Sequence, residues 1–130
     1  MNSKIRILVV DDFSTMRGIA RKLLADVGFE DVVDAESGPQ ALALLDASQI
    51  DLLILDWNMP DMSGLEVVQA IRGSDDFQTL PILMVTAEAR RDQILAAIDA
   101  GVDDYMLKPF TAETLAEKID KVLAAQAAAA

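Results

Sequence analysis

The chain has 130 residues, a length that fits one compact domain, and 52% of them are hydrophobic, which is enough to form a buried core. It contains no cysteine and no histidine, and this excludes disulfides, histidine-ligated zinc and serine–histidine catalysis. The formal charge of −11 argues against binding to nucleic acid, which depends on neutralising phosphates. Any chemistry must therefore use carboxylates, hydroxyls, lysine or a hard cation.

The sequence has no run of about 18 apolar residues, so no membrane span is expected. Its first apolar run stops at Asp11 and Asp12, too early for a secretory signal. We therefore expect a cytoplasmic protein that binds neither nucleic acid nor membranes.

Residues 5–10 predict a strand, and a helix follows from about Ser14 to Val27 with Met16, Ile19, Ala20, Leu23 and Leu24 on its buried face. Gly28 stands where a left-handed helix end is favoured. A weaker strand is expected around residues 32–35. Ser37 and Gln40 have capping-box spacing and open a helix that runs through Leu45.

Residues 51–56 are the clearest buried strand, because a continuous apolar centre is typical of parallel strands covered on both faces. Ser63 and Glu66 form a second capping box, whose helix runs to about Arg72 and stops at Gly73. The remaining pattern predicts a strand over 81–86, a helix over about 90–100 closed by Gly101, and a strand over 105–107. The last helix begins near Thr111 and buries Leu115, Ile119, Val122 and Leu123.

This alternation of strands and helices predicts an α/β fold, in which an open parallel sheet carries helices on both faces. We expect residues 1–130 to form a single domain. The alanine-rich tail over residues 124–130 is either a helical extension or a frayed end.

Polar side chains follow four of the predicted strands. Asp11 and Asp12 follow the first, Asp56 ends the third, Thr86 ends the fourth, and Lys108 comes just after the fifth. Ligands of open parallel sheets bind beyond the carboxyl ends of the strands, so we expect these side chains to form one site.

Converging carboxylates repel each other, by about 4 kcal/mol for two unit charges 4 Å apart at an effective dielectric near 20. A divalent cation relieves that repulsion, and an all-oxygen ligand set suits Mg²⁺ or Mn²⁺ better than zinc. Asp56 could then attack phosphorus to form an acyl phosphate. The cation and Lys108 would stabilise the transferring group, and Thr86 would donate its hydroxyl to a phosphate oxygen.

Each of these residues also has an ordinary structural explanation. Asp11 or Asp12 could cap the first helix, and Asp56 could begin a turn. Thr86 could cap the turn that follows it, and Lys108 could simply be exposed to solvent. Only their coincidence at one edge of the sheet favours the functional interpretation.

These five positions, at these spacings over nearly the whole chain, resemble the signature of receiver domains in two-component signalling. The runs over 9–17, 56–60, 83–89 and 108–111 resemble the chemotaxis members of that family. The resemblance implies a doubly wound, flavodoxin-like fold whose five parallel strands have the order 2-1-3-4-5.

The resemblance also implies the ligands and the phosphate acceptor. Asp56 would accept phosphate from a chemotaxis histidine kinase. Asp12, Asp56 and the backbone carbonyl of Asn58 would hold magnesium, and Asp11 would contribute through water. Lys108 would pair with the acidic site, and its bond to the following proline is expected to be cis.

Further positions match residues that control the signal. Asn58 and Glu88 match those that tune how fast the phosphoryl group is lost. Tyr105 matches an aromatic switch that turns inward as Thr86 moves toward the phosphate; the alternative is that Tyr105 is ordinary packing.

The signal would then reach a surface on the fourth helix, fifth strand and fifth helix. Ile94 lies off the stripe set by Leu95 and Ile98, so we expect Ile94 to be exposed there. Lys118 and Lys121 would add a basic rim.

The implied function is that of a monomeric single-domain response regulator, which binds the flagellar motor switch protein once phosphorylated and so controls rotation in chemotaxis. It would not be an enzyme beyond its own phosphorylation and slow self-dephosphorylation, although a phosphatase could act on it. Asp103 and Asp104 resemble general receivers more than the chemotaxis subgroup, which leaves the output partner open.

Two alternatives remain. The chain could be a phosphorelay carrier or a regulator of another kinase pathway. It could also be an aspartate-nucleophile phosphatase of the haloacid dehalogenase type, but that signature requires a second aspartate where this chain has Asn58.

Overall fold

A computed structural model of the protein describes residues 4–88 and 90–129. Strands and helices alternate along the chain as β1 (Ile7–Val10), α1 (Ser14–Asp26), β2 (Val32–Ala35), α2 (Gly38–Ala47), β3 (Leu52–Asp56), α3 (Gly64–Arg72), β4 (Ile82–Thr86), α4 (Arg91–Ala100), β5 (Asp104–Leu107) and α5 (Ala112–Ala129). A short 3₁₀ turn, Asp75–Phe77, which was not predicted, lies between α3 and β4.

The five strands form one parallel sheet in the order β2-β1-β3-β4-β5, which confirms the predicted fold. Its register determines where the carboxyl ends of the strands lie. Val10 pairs with Leu55, so Asp11 and Asp56 are the next residues of two neighbouring strands. Thr86 pairs with Leu107, so Lys108 comes one step beyond the end of β4.

The sheet is covered on both faces, as the continuous apolar strands predict. Ile7 and Val9 of β1 pack with α1 and α5 on one face, and Leu8 and Val10 pack with α2, α3 and α4 on the other. All four are nearly inaccessible to solvent. Burying one such side chain stabilises a fold by roughly 1.5–3 kcal/mol, and the two clusters hold the strand ends of the site in place.

The helix boundaries follow local chemistry. Ser63 accepts a hydrogen bond from the backbone amide of Glu66, whose side chain accepts one from the amide of Ser63, so the predicted capping box is present. Ser37 likewise accepts from the amide of Gln40, but the Gln40 side chain binds the amide of Glu36 instead of Ser37.

The predicted inward face of α1 was wrong in part. Ala20 and Leu24 are buried and Leu23 packs partly buried against the same core, but Ile19 is 44% exposed, because the inward face of α1 is centred on Ala20 and Leu24. The backbone of α5 is helical through Ala129, as one of the two alternatives for the tail proposed. Among the described residues, no helix combines the length and hydropathy needed to cross a bilayer.

Candidate functional site

Three carboxylates converge at the carboxyl edge of the sheet, as predicted. Asp11, Asp12 and Asp56 each contribute one oxygen, and these oxygens all lie within 4.8 Å of one another. Asp11 and Asp56 are each only 5% exposed, and Asp12 is half-buried. Buried carboxylates at this separation repel strongly unless positive charge lies between them. The cluster therefore has the donor chemistry of a site for a hard divalent cation.

Lys108 supplies positive charge from the other side. Its Nζ donates a 2.7 Å hydrogen bond to Oδ2 of Asp11 and lies 3.4 Å from Oδ2 of Asp56. The backbone amide of Lys108 donates to the carbonyl of Thr86, which anchors the lysine beside the end of β4. The peptide bond between Lys108 and Pro109 is cis, as predicted. The lysine side chain is only 16% exposed, so the structure excludes the alternative that Lys108 is a solvated surface residue.

The environment of Asp56 changes its acidity. Burial raises the pKa of Asp56, and the charge of Asp11 adds to that effect. The charge of Lys108 and the backbone amide of Asn58, 3.4 Å from Oδ1 of Asp56, act in the opposite direction. The net result is that the pKa rises from its usual 3.8 to about 6.

Thr86 is buried at the end of β4, with 1% of its surface exposed. Its Oγ1 donates to the carbonyl of Glu88, at 3.1 Å, and accepts from the amide of Glu88, at 3.2 Å. The hydroxyl thus closes a turn in the loop before α4, the structural role considered for it. Asp11 has a similar second role, since its Oδ1 accepts from the amide of Phe13.

Two residues that support the site were missed. Arg17 of α1 donates from Nη1 to the backbone carbonyl of Asp11, at 2.7 Å, and pairs through Nε with Asp34 on β2, at 3.2 Å. Gly64 begins α3 against the site, and a Cβ there would lie 2.6 Å from the carbonyl oxygen of Asp56 and 2.8 Å from Cα of Trp57. The only signals in the sequence were that Arg17 falls in the first turn of α1 and that Gly64 follows the capping serine, and neither predicts these contacts.

The exposed apolar residues of α4 differ from the prediction. Ile94 was expected to be exposed but is half-buried, whereas Leu95 and Ile98 are 50% and 49% exposed. The centre of the inward face is Ala97, which is fully buried, and Ile94 lies one turn before it. On β5, Leu107 is 43% exposed. These three exposed side chains, and not Ile94, form the apolar part of the predicted surface.

Tyr105 and Lys118 are in contact. Tyr105 is half-buried, and Nζ of Lys118 lies 5.4 Å from the centroid of its ring, within the range of a cation–π interaction. A carboxylate that was not assigned any role, Asp104, pairs with both Lys118 and Lys121.

The chain matches the family model for the response regulator receiver domain over residues 7–120. It therefore belongs to the receiver-domain family of response regulators, as predicted. It is 51% identical over 118 residues to the chemotaxis protein CheY of Pseudomonas aeruginosa, an alignment that covers 91% of this chain and 95% of that protein. It is 48% identical over 122 residues to chemotaxis protein CheY-3 of Vibrio cholerae, with 94% of both chains covered.

Solved structures that are similar to this chain belong to the same family. The chemotaxis response regulator CheY4 of Vibrio cholerae superimposes with a TM-score of 0.84 at 35% identity, covering 91% of this chain and 98% of that one. A CheY-like receiver domain protein from Methanospirillum hungatei gives 0.87 at 28% identity, with 97% and 98% covered. The comparisons confirm both the predicted fold and a receiver of the chemotaxis response-regulator type.

Proposed function

We propose that residues 1–130 act as one cytoplasmic receiver domain that accepts a phosphoryl group on Asp56 from a chemotaxis histidine kinase. Once phosphorylated, the protein binds the flagellar motor switch protein. The observation that carries the proposal is the position of the Lys108 ammonium, within reach of both Asp11 and Asp56 beside the three-carboxylate cluster. The protein would catalyse only its own phosphorylation and slow self-dephosphorylation, and in this it differs from a classical enzyme.

In the transfer step, a carboxylate oxygen of Asp56 attacks the phosphorus of the phosphohistidine. The new O–P bond forms an acyl phosphate as the N–P bond to histidine breaks and the nitrogen takes the bonding electrons. The attacking group must be ionised, and a pKa of about 6 leaves most of Asp56 ionised at pH 7 and above. Lys108 is close enough to pair with a phosphoryl oxygen as charge develops there.

The cation for this site is Mg²⁺, with Mn²⁺ as a substitute, since hard oxygen donors suit both. Asp12, Asp56 and the backbone carbonyl of Asn58 would hold it, and Asp11 would bind one of its waters. When bound, it neutralises negative charge on the transferring group. An open hollow of about 330 Å³, lined by Asp12, Trp57 and Asn58 among others, adjoins two of the residues that would hold the cation.

Thr86 and Tyr105 would carry the signal to the surface. The Thr86 hydroxyl now bonds the backbone of Glu88, and a phosphoryl oxygen on Asp56 would compete for the same hydroxyl. Movement of Thr86 toward that oxygen would open a space next to β5, and the ring of Tyr105 could turn into it. Asn58 and Glu88 are both exposed in loops that flank Asp56, which suits a role in controlling how long the phosphoryl group persists.

The test uses Trp57, the only tryptophan, which directly follows Asp56. Addition of magnesium and then acetyl phosphate should change its emission in two steps. Asp56→Asn should abolish the second step, whereas Asp61→Asn, which changes an exposed aspartate in the loop after β3, should leave both unchanged. A phosphodonor response in Asp56→Asn equal to that of the parent would overturn the assignment.

A second measurement separates this function from its alternatives. Tighter binding of a motor-switch peptide after phosphorylation supports the motor as output. Transfer of the phosphoryl group from Asp56 to a further histidine, without such binding, would indicate a phosphorelay carrier. Continuous turnover of small phosphate esters would indicate a phosphatase.

A further inference from the structure

Asp104, the first residue of β5, binds the two lysines of the neighbouring helix face. Its Oδ1 lies 3.3 Å from Nζ of Lys118, and its Oδ2 lies 3.4 Å from Nζ of Lys121. The carboxylate is only 10% exposed and also accepts a 2.8 Å hydrogen bond from the amide of Tyr105, which fixes its orientation. A short and mostly buried side chain therefore pairs with two long ones, of which Lys118 is 29% exposed and Lys121 is 72% exposed.

This arrangement lies inside the surface proposed to bind the partner. Tyr105, Leu107 and Lys118 line one groove of about 340 Å³ between β5 and α5. Leu107 is exposed, and the ammonium of Lys118 stands over the Tyr105 ring. Apolar side chains beside two ammonium groups are complementary to an amphipathic segment that carries carboxylates. In the free protein, however, both ammonium groups already contact Asp104.

We propose that Asp104 is a specificity-determining residue that competes internally with the carboxylates of the partner for Lys118 and Lys121. The proposal rests on the output function proposed above. A partner whose carboxylate reaches Lys118 or Lys121 replaces Asp104 in the ion pair. A partner without such a carboxylate obtains no affinity from the two lysines. Because ion pairs at partly exposed sites are weak, Asp104 adjusts affinity and does not block binding.

The test compares two variants that each remove one negative charge. Asp104→Asn keeps the shape of the side chain and can still accept from the Tyr105 amide. Asp120→Asn removes an exposed carboxylate of α5, which lies between the two lysines in sequence but forms no ion pair with them in the described structure. Each protein is saturated with magnesium and acetyl phosphate, and its affinity for a fluorescent motor-switch peptide is measured.

Asp104→Asn should bind the peptide about two- to fivefold more tightly than the parent, and Asp120→Asn should bind less than about twofold more tightly. The gain should disappear when Lys118 and Lys121 are both replaced by alanine. It should also disappear when the carboxylates of the peptide are replaced by amides. Equal affinity of Asp104→Asn and the parent, or an equal gain in Asp120→Asn, would overturn the role of Asp104.

A measurement without any partner keeps this inference separate from the proposed function. If the phosphorylated parent does not bind the peptide, the proposal that the protein binds the motor switch is wrong. Acylation of lysines by acetic anhydride then tests separately whether Asp104 holds Lys118 and Lys121. Amines held in an ion pair react slowly, so Lys118 and Lys121 should be labelled at least roughly twofold faster in Asp104→Asn. Exposed Lys22 of α1 serves as the reference. Unchanged labelling of both lysines would also overturn the inference.

Discussion

Lys108 donates a 2.7 Å hydrogen bond to Asp11 although the two residues are 97 positions apart in the chain. The same ammonium is farther from Asp56, at 3.4 Å. In this state the lysine is therefore bound mainly by a carboxylate that is not the proposed phosphate acceptor. Asp11 thus holds the positive charge in place next to Asp56, the proposed nucleophile, with which Lys108 forms the longer of its two ion pairs.

Lys108→Ala should lower the stability of the metal-free protein and slow its phosphorylation. Removing the ammonium leaves Asp11 and Asp56 as neighbouring buried carboxylates, which should lower the free energy of unfolding by about 1–3 kcal/mol in EDTA. Magnesium should restore most of that loss. The Trp57 response to acetyl phosphate should become about 100-fold slower, because one fixed donor to the transferring group is lost.

Urea unfolding with EDTA or magnesium measures the first effect, and stopped-flow fluorescence measures the second. Lys22→Ala, which removes an exposed lysine of α1, is the control for the change in net charge. A Lys108→Ala protein with the stability and the rate of the parent would show that the contacts with Asp11 and Asp56 have no energetic role.

The metal-free protein should lose stability as the pH rises from about 4 to 7. Folding raises the pKa of Asp56 from 3.8 to about 6, so the folded state binds more protons than the unfolded state between these values. The corresponding stability is fully present below the lower value and is lost as the pH passes the higher one. It amounts to roughly 3 kcal/mol at about 1.4 kcal/mol for each tenfold change in proton affinity.

Asp56→Asn has no titrating group at this position, so it should be more stable than the parent in EDTA at pH 7 by as much as about 3 kcal/mol, with little difference at pH 4. Urea unfolding at four pH values from 4 to 7 measures this difference, with Asp61→Asn as a control that keeps the parental profile. A constant difference between Asp56→Asn and the parent across this range would contradict the raised pKa.

The convergence of Asp11, Asp56 and Lys108 was predictable because it depends on sheet geometry alone. Parallel strands with right-handed connections bring their carboxyl ends to one edge, whatever helices lie between them. The two capping serines were also predictable, because a helix start is determined by neighbours three residues apart.

The orientation of the helices was not predictable in the same way. In α4, apolar residues stand at positions 94, 95 and 98, so periodicity alone allows more than one inward face. Packing against α3 places Ala97 at the contact, and this leaves Leu95 and Ile98 outside. The partners of Arg17 depend likewise on how α1 is rotated over β2. Tertiary packing, and not the local sequence pattern, determines which face of each helix points inward.

Gly64→Ala should disturb the phosphorylation site through the backbone. The new Cβ would stand 2.6 Å from the carbonyl oxygen of Asp56, a contact that only a shift of the loop after β3 can relieve. We expect a loss of about 1–3 kcal/mol and a changed Trp57 emission before any ligand is added. Gly18→Ala is the matched control, because nothing lies within 4 Å of its added Cβ in α1. It should stabilise the protein by about 0.5–1 kcal/mol. Equal effects of the two substitutions would argue against the close approach.

Thr86→Ala should still be phosphorylated, but its phosphorylation should no longer tighten binding of the partner. Among the described residues, the Thr86 hydroxyl contacts only the backbone of Glu88. The changes in Trp57 emission on addition of magnesium and then of acetyl phosphate should therefore both persist in Thr86→Ala. Without the hydroxyl, the proposed hydrogen bond between Thr86 and the phosphoryl group cannot form. Phosphorylation couples sites by about 5- to 150-fold in affinity in systems of this kind, and in Thr86→Ala its effect on motor-switch peptide binding should fall below about twofold.

Thr86→Ser is the control, since it keeps the hydroxyl and loses only a methyl group. It should retain most of the coupling, while both variants lose some stability at this buried position, about 1 kcal/mol. Fluorescence anisotropy of the peptide, with and without acetyl phosphate, measures the coupling directly. If Thr86→Ala responds to phosphorylation as strongly as Thr86→Ser, the signal reaches Tyr105 by a route that does not use this hydroxyl. Because both proteins report phosphorylation through Trp57, loss of coupling can be told apart from failure to be phosphorylated.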